Sequence, residues 1–188
     1  GPLWNLLFAD IGATLGIFGA SMFFNNSSLY DPFWSVIPIA LVVGAFWVIG
    51  FDLTLTSIVI ATSVTIWGVR LTYNFLRSWP GLEHEDWRYQ NFRKTTGPLY
   101  WLVSLSGIHV FPTFLVFAGM GGVLECILVG GAANLPLVLT GGVICLLATW
   151  IEGVADNQLL AFNQTKVPGS IIKEGLWAYS RHPNYFGE

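Results

Sequence analysis

Leu135-Pro136-Leu137-Val138-Leu139-Thr140-Gly141-Gly142-Val143-Ile144-Cys145-Leu146-Leu147-Ala148-Thr149-Trp150-Ile151 carries no charged side chain. Continued to residue 160, the run exceeds the roughly 20 residues that an α-helix needs to cross a hydrocarbon core. Four more apolar runs precede it, giving candidate spans at 3–24, 33–50, 53–79, 99–128 and 135–160. The expected fold class is therefore an all-α polytopic transmembrane bundle: one domain over 1–188, with 161–188 as its polar cytoplasmic tail.

Composition supports this reading. Hydrophobic residues make up 54% of the chain and charged residues 10%, against about 25% charged in soluble domains. Mean hydropathy is +0.62. The net charge of −3 and the lack of a basic run argue against nucleic-acid binding, which depends on neutralising phosphates. Cys126 and Cys145 sit in apolar surroundings and read as buried thiols, since a disulfide framework needs more cysteines. The first span lacks a basic leader and a small-residue cleavage site, so it reads as a span rather than a signal peptide.

The connections follow from their residues. Asn25-Asn26-Ser27-Ser28 and Gly130-Gly131-Ala132-Ala133-Asn134 read as turns, and Phe51-Asp52 as a short link. Pro112 predicts a kink in the fourth span. Lys and Arg occur only at 70, 77, 88, 93, 94, 166, 173 and 181. Two spans separate these two groups, so both can lie on one side, which the positive-inside rule makes cytoplasmic. The turn carrying Asp31 falls on that side as well, and the N-terminus on the other.

Ionisable groups inside spans are costly and need partners. Ser63, Trp67, Arg70, Asn74 and Arg77 recur every three or four residues, which places them on one helical stripe. Arg77 reads most simply as snorkelling to the headgroups, whereas Arg70 lies deeper. Glu152 and Asp156 share a face four residues apart, so a cation between them or a proton on one is expected. His109 reads as a packing histidine. Asp10 fits either a partner for another span or a residue at a span end. Glu83, His84, Glu85 and Asp86 are consecutive and diverge, so they do not form a metal site. With Trp87, Tyr89 and Phe92 they suggest an interfacial segment.

The tail ends in Gly175-Leu176-Trp177-Ala178-Tyr179-Ser180-Arg181-His182-Pro183-Asn184-Tyr185-Phe186-Gly187-Glu188. Its aromatics with Lys173 and Arg181 suit an interface belt. Asn184, Glu188 and the His182-Pro183 pair call for more. A polar cavity lined by Asp31, Arg70, Asp156, Arg181, Asn184 and Glu188 accounts for them together. Arginines bind phosphates bidentately, and carboxylates with an amide suit ribose hydroxyls or a carboxamide.

This tail resembles the C-terminal signature of steroid 5α-reductase-like membrane proteins, as do Glu152-Gly153-Val154-Ala155-Asp156-Asn157-Gln158-Leu159 and Glu85-Asp86-Trp87-Arg88-Tyr89. A shorter Arg-His-Pro element also occurs in isoprenylcysteine carboxyl methyltransferases and sterol reductases. The resemblance covers roughly 28–188. It implies a multi-span enzyme that holds NADPH in a cytoplasm-facing cavity and passes a hydride to an enone. Arg70, Asp156, Arg181, His182, Asn184, Tyr185 and Glu188 then fall at cofactor positions. Asp31 falls where the steroid enzymes place a catalytic carboxylate.

Trp67 stands where those enzymes have a catalytic tyrosine, and an indole cannot donate a phenolic proton. Tyr73 or Tyr30 is the expected substitute. The resemblance also implies further apolar segments after Glu188. The leading expectation is a reductase of a lipid- or sterol-like enone, with membrane lipids and the lipid-like substrate as partners. Two alternatives stand beside it: an S-adenosylmethionine-dependent methyltransferase of a lipid, and a non-catalytic subunit of a larger membrane assembly.

Overall fold

The structure, a computed structural model, describes residues 1–129 and 134–188. The turn expected at 130–134 therefore lies outside the described residues, except for Asn134. The chain is 81% helical, with no strand among the described residues, and five of its helical stretches are long and apolar enough to cross a membrane. It is an all-α membrane protein. Two compact units divide it, Gly1–Ala133 and Asn134–Glu188.

In the first unit, α1 spans Pro2–Phe23, α2 Phe33–Val48 and α3 Leu55–Ser78. A short α4, Trp87–Thr96, leads into α5, Tyr100–Val103, which runs on through Ser104–Val110 into α6, Phe111–Val129. α2 packs on α1, α3 and α6. Their shared core is Leu6, Leu41, Val42, Ala45, Met120, Leu124 and Ile127. Lipid tails are as apolar as leucine, so close van der Waals packing, more than escape from water, favours such contacts. Apolar side chains on the other faces stay exposed, among them Phe8, Val43, Val69 and Leu115, as expected of surfaces that lipid solvates.

Small residues set the spacing. A Cβ on Gly68 of α3 would lie 2.5 Å from the Ser35 carbonyl oxygen and 2.9 Å from Ile39 Cδ1. At this crossing the Ser35 and Thr72 hydroxyls hydrogen-bond at 2.8 Å, and Thr72 also donates to the Gly68 carbonyl. Thr54 and Ser57 start α3 with a reciprocal capping box, which satisfies two backbone donors that a helix start leaves orphaned.

The kink expected at Pro112 takes the form of a widened turn just before it. Ser104–Val110 is π-helical, and the Phe111 N–H reaches back to the Ser106 carbonyl. Proline has no N–H and its ring crowds the carbonyl four residues back, so the extra residue of a π-turn relieves both problems. The same segment buries His109 completely. Its Nδ1–H donates to the Ser104 carbonyl at 2.9 Å, and its Nε2 meets the Ser21 hydroxyl at 3.2 Å. Both ring nitrogens are thus satisfied, as a packing histidine requires.

In the second unit, α7 runs Leu135–Thr165, capped by the Asn134 side chain on the Leu137 N–H. A 3₁₀ turn at Gly175–Ala178 and α8, Pro183–Gly187, follow.

Gly68→Ala should lower stability by about 1–2 kcal/mol, because overpacking against a backbone oxygen outweighs the gain in helix propensity. Gly16→Ala, at a position where a Cβ meets nothing within 4 Å, should be neutral or mildly stabilising. Thermal unfolding of the two variants in detergent checks both.

Candidate functional site

The segment before α4 is tied down by an unusual density of polar contacts. Asn26 caps the 3₁₀ turn Ser27–Tyr30 through the Ser28 N–H. Its amide nitrogen donates to the Leu82 and His84 carbonyls at 2.7 and 2.9 Å. The Ser27 N–H donates to Glu85 Oε1 at 2.8 Å, and the Asp86 N–H to the Ser28 hydroxyl at 2.8 Å. Arg93 grips both Glu85 oxygens, at 2.7 and 3.1 Å, while its guanidinium lies over the Tyr100 and Trp101 rings. Burial pushes the Glu85 carboxyl up, but the Arg93 guanidinium, the Ser27 N–H and the Tyr100 hydroxyl outweigh it and hold it below its ordinary range.

Asp86 then caps α4 by accepting from the Arg88 N–H at 2.9 Å. A helix started there turns Tyr89 inward: it is 7% exposed and donates its hydroxyl hydrogen to Asp31 Oδ1. Arg88 Nη2 stands 3.7 Å from Asp31 Oδ2. The pair lines a cleft of about 460 Å³ whose other walls include Trp34, Phe92, Ile108, Pro112 and Leu115. It combines one carboxylate, one guanidinium and two phenols with otherwise apolar or aromatic sides. Tyr30 also lines this cleft, but its hydroxyl is engaged with Thr113 at 2.9 Å.

Tyr73 lies elsewhere. It is 63% exposed on α3 and sits beneath the Arg77 guanidinium. The structure therefore brings Asp31 together with Tyr89 and not with Tyr73. On the predicted α3 stripe, Ser63 is buried, Trp67, Arg70 and Asn74 are half-buried, and Arg77 is exposed with its Nε on Asn74 Oδ1.

In the second unit the tail folds back along α7. Gly175, at φ +59°, adopts a conformation that suits glycine, and a Cβ there would strike the Gln158 amide. That amide accepts from the Leu176 N–H at 3.0 Å, and the Trp177 indole donates to the Ala155 carbonyl at 3.0 Å. Asn184 donates to Asp156 Oδ1 at 3.2 Å. A Cβ on Gly187 would lie 2.7 Å from the Ala148 carbonyl and 2.9 Å from Glu152. Ala148, Glu152, Ala155 and Gln158 recur every three or four residues, so they form one stripe of α7.

Asp156 and Asn184 thus meet, and Glu152 and Asp156 are both buried. Arg181 and His182 are exposed and line a separate open cleft of about 700 Å³ with Lys173, Trp177, Tyr179 and Ser180. The Tyr185 ring lies 5.3 Å from His182, and Glu188 is exposed at the end of α8. Asn184 Oδ1 is buried with no hydrogen-bond partner.

From the sequence, Tyr89 belongs to an interfacial segment and Lys173 and Trp177 to an interface belt, and none of them, nor Gln158, is assigned to a site. Tyr89 had a signal: it lies three residues beyond an aspartate able to cap a helix. Trp177 had one too, since a buried indole N–H needs an acceptor. Among the described residues, no group of three or more His, Cys, Asp or Glu is placed to hold a metal.

Residues 17–188 match the model of the family described as protein of unknown function (DUF1295). The chain belongs to that family. No curated protein matches it, and no solved structure does.

The lowered Glu85 carboxyl makes a pH prediction. Its contribution to stability is complete above its ordinary value of 4.5 and is lost as the pH falls through the lower native value. The unfolding temperature should therefore drop as the pH falls below 4.5. The drop should be shallower in Glu85→Gln, measured by tryptophan fluorescence across a pH series.

Proposed function

We propose that this DUF1295 protein is a membrane-embedded, NADPH-dependent reductase of a lipid- or sterol-like enone, related to the steroid 5α-reductase-like proteins. The observation that carries the reading is the Asp31–Tyr89 pair set into an apolar cleft. Such a cleft suits an oily substrate with one polar end, and its residues suit a conjugated carbonyl at that end. Tyr89 takes the phenolic role left open by Trp67.

Reduction of an enone adds a hydride to the β-carbon and a proton, taken from solvent, to the α-carbon, and the carbon–carbon π bond is lost. NADPH, when bound, supplies the hydride and leaves oxidised. The phenolic hydrogen that Tyr89 donates to Asp31 can turn to a substrate carbonyl oxygen and polarise it. Asp31 holds the Tyr89 hydroxyl at the cleft until the substrate carbonyl takes over that hydrogen bond, and Arg88 supports the carboxylate. A hydrogen bond to a developing enolate oxygen strengthens as charge builds there, so it lowers the barrier more than it tightens binding.

The tail residues fit the cofactor in charge and in hydrogen-bonding type. Lys173, Arg181 and His182 line one cleft, and a guanidinium with an ammonium suits phosphates. The unpartnered Asn184 oxygen can accept from a ribose hydroxyl or a carboxamide. Asp156, Tyr185, Glu188 and Arg70 are assigned to the cofactor by the resemblance. On the positive-inside rule, the basic residues of each segment favour a cytoplasmic side for that segment.

Tyr89→Phe should lower turnover of a lipid-like enone by about 10²-fold with little change in KM, as expected when a hydrogen-bond donor to the developing enolate oxygen is removed. Arg181→Ala should weaken NADPH binding by about tenfold or more, from the loss of a charge-assisted hydrogen bond, with the wild-type affinity falling at high salt. Unchanged affinity would take Arg181 out of the site. Binding of S-adenosylmethionine in place of NADPH would move the chain to methyl transfer. Binding of neither would leave the non-catalytic subunit.

A further inference from the structure

Asp10 stands in the interior of α1, about 12 Å along the axis from the Pro2 end. It is 0% exposed, and neither carboxylate oxygen has a hydrogen-bond partner. A lone carboxylate at that depth is expensive, and the elements packed against α1 among the described residues bring no Lys or Arg to offset it. Those elements are the Ser27–Tyr30 turn, α2, the π-turn and α6. Their titratable groups are Tyr30, His109, Glu125 and Cys126. His109 has both nitrogens engaged, with the Ser104 carbonyl and the Ser21 hydroxyl. Glu125 and Cys126 bring no positive charge.

The hydroxyls nearby are committed elsewhere. Thr113 donates its one hydrogen to the His109 carbonyl at 2.8 Å. It can then only accept from its two other partners, the Thr14 hydroxyl at 2.8 Å and the Tyr30 hydroxyl at 2.9 Å. Those two hydrogens therefore point to Thr113 and not to Asp10, which leaves lone pairs on the Thr14 and Tyr30 oxygens. Thr14 is one helical turn from Asp10 on the same face, and Tyr30 is within electrostatic reach of its charge. All three groups are at least nine-tenths buried. Asp10, Thr14 and Tyr30 thus bring oxygen lone pairs and one negative charge to this part of the interior, with no hydrogen left to donate to Asp10.

We propose that Asp10, with the hydroxyl oxygens of Thr14 and Tyr30, forms an internal site for a single small monovalent cation, sodium in character. Full enclosure excludes an organic ammonium. One carboxylate balances one positive charge but only half of a divalent one, and magnesium usually keeps several waters. Oxygen-only ligands disfavour soft transition metals.

The test is thermal unfolding of the full chain in detergent at pH 8, in sodium chloride against choline chloride at equal ionic strength. Sodium should raise the unfolding temperature saturably, as a ligand of the native state does, and Asp10→Asn should abolish that difference while unfolding cooperatively in choline. Should Asp10→Asn fail to fold, Thr14→Val serves instead, with apparent sodium affinity expected to fall about tenfold or more. Identical curves in the two salts would overturn the proposal. So would a sodium effect that survives in Asp10→Asn, or one of unchanged midpoint in Thr14→Val where that variant stands in.

Discussion

Water is missing from the medium that surrounds most of this chain, so each polar group in a span must find its partner inside the protein. That constraint explains the first unit more fully than its apolar core does. Thr14, Ser21, Ser27, Tyr30, Ser104, His109 and Thr113 are all buried, and hydroxyl and imidazole contacts link them across α1, the 3₁₀ turn and the π-turn segment. The apolar contacts lack a water-driven force of their own, so these hydrogen bonds and the close approach at Gly68 fix which faces meet.

The same network positions the chemistry. Glu85 joins the turn after α1 to the start of α4 through Ser27, Arg93 and Tyr100. With Asp86 capping α4, Tyr89 has little choice but to meet Asp31. A loop that reads as an interfacial segment in the sequence is thus a clamp, and the acid–phenol pair is its consequence. In the second unit the glycines have the corresponding role. Gly175 and Gly187 let the tail lie against α7 closely enough for Asn184 to reach Asp156.

Much of the fold was legible because a bilayer demands long apolar runs, and these are unmistakable in a one-dimensional chain. The five spans fall within a few residues of their helices. α4 was harder, since its polar sequence hides a buried tyrosine on one side. The widened turn before Pro112 follows from a proline rule, but its length does not. Asp156 with Asn184 could be anticipated from the tail's composition. Tyr89 could not be paired with Asp31 from sequence, because 58 residues separate them and only the Glu85 clamp brings them together. The same reason explains why Tyr73, close to Arg70 in sequence, was the more visible candidate.

The central claim is that the Asp31–Tyr89 pair polarises a conjugated carbonyl. The most direct measurement is the infrared C=O stretch of a lipid-like enone, isotopically labelled at the carbonyl and bound to the purified protein. A shift to lower frequency in the wild type, reversed in Tyr89→Phe with the ligand still bound, is the result this account requires. A carbonyl stretch that is the same in both proteins would contradict it.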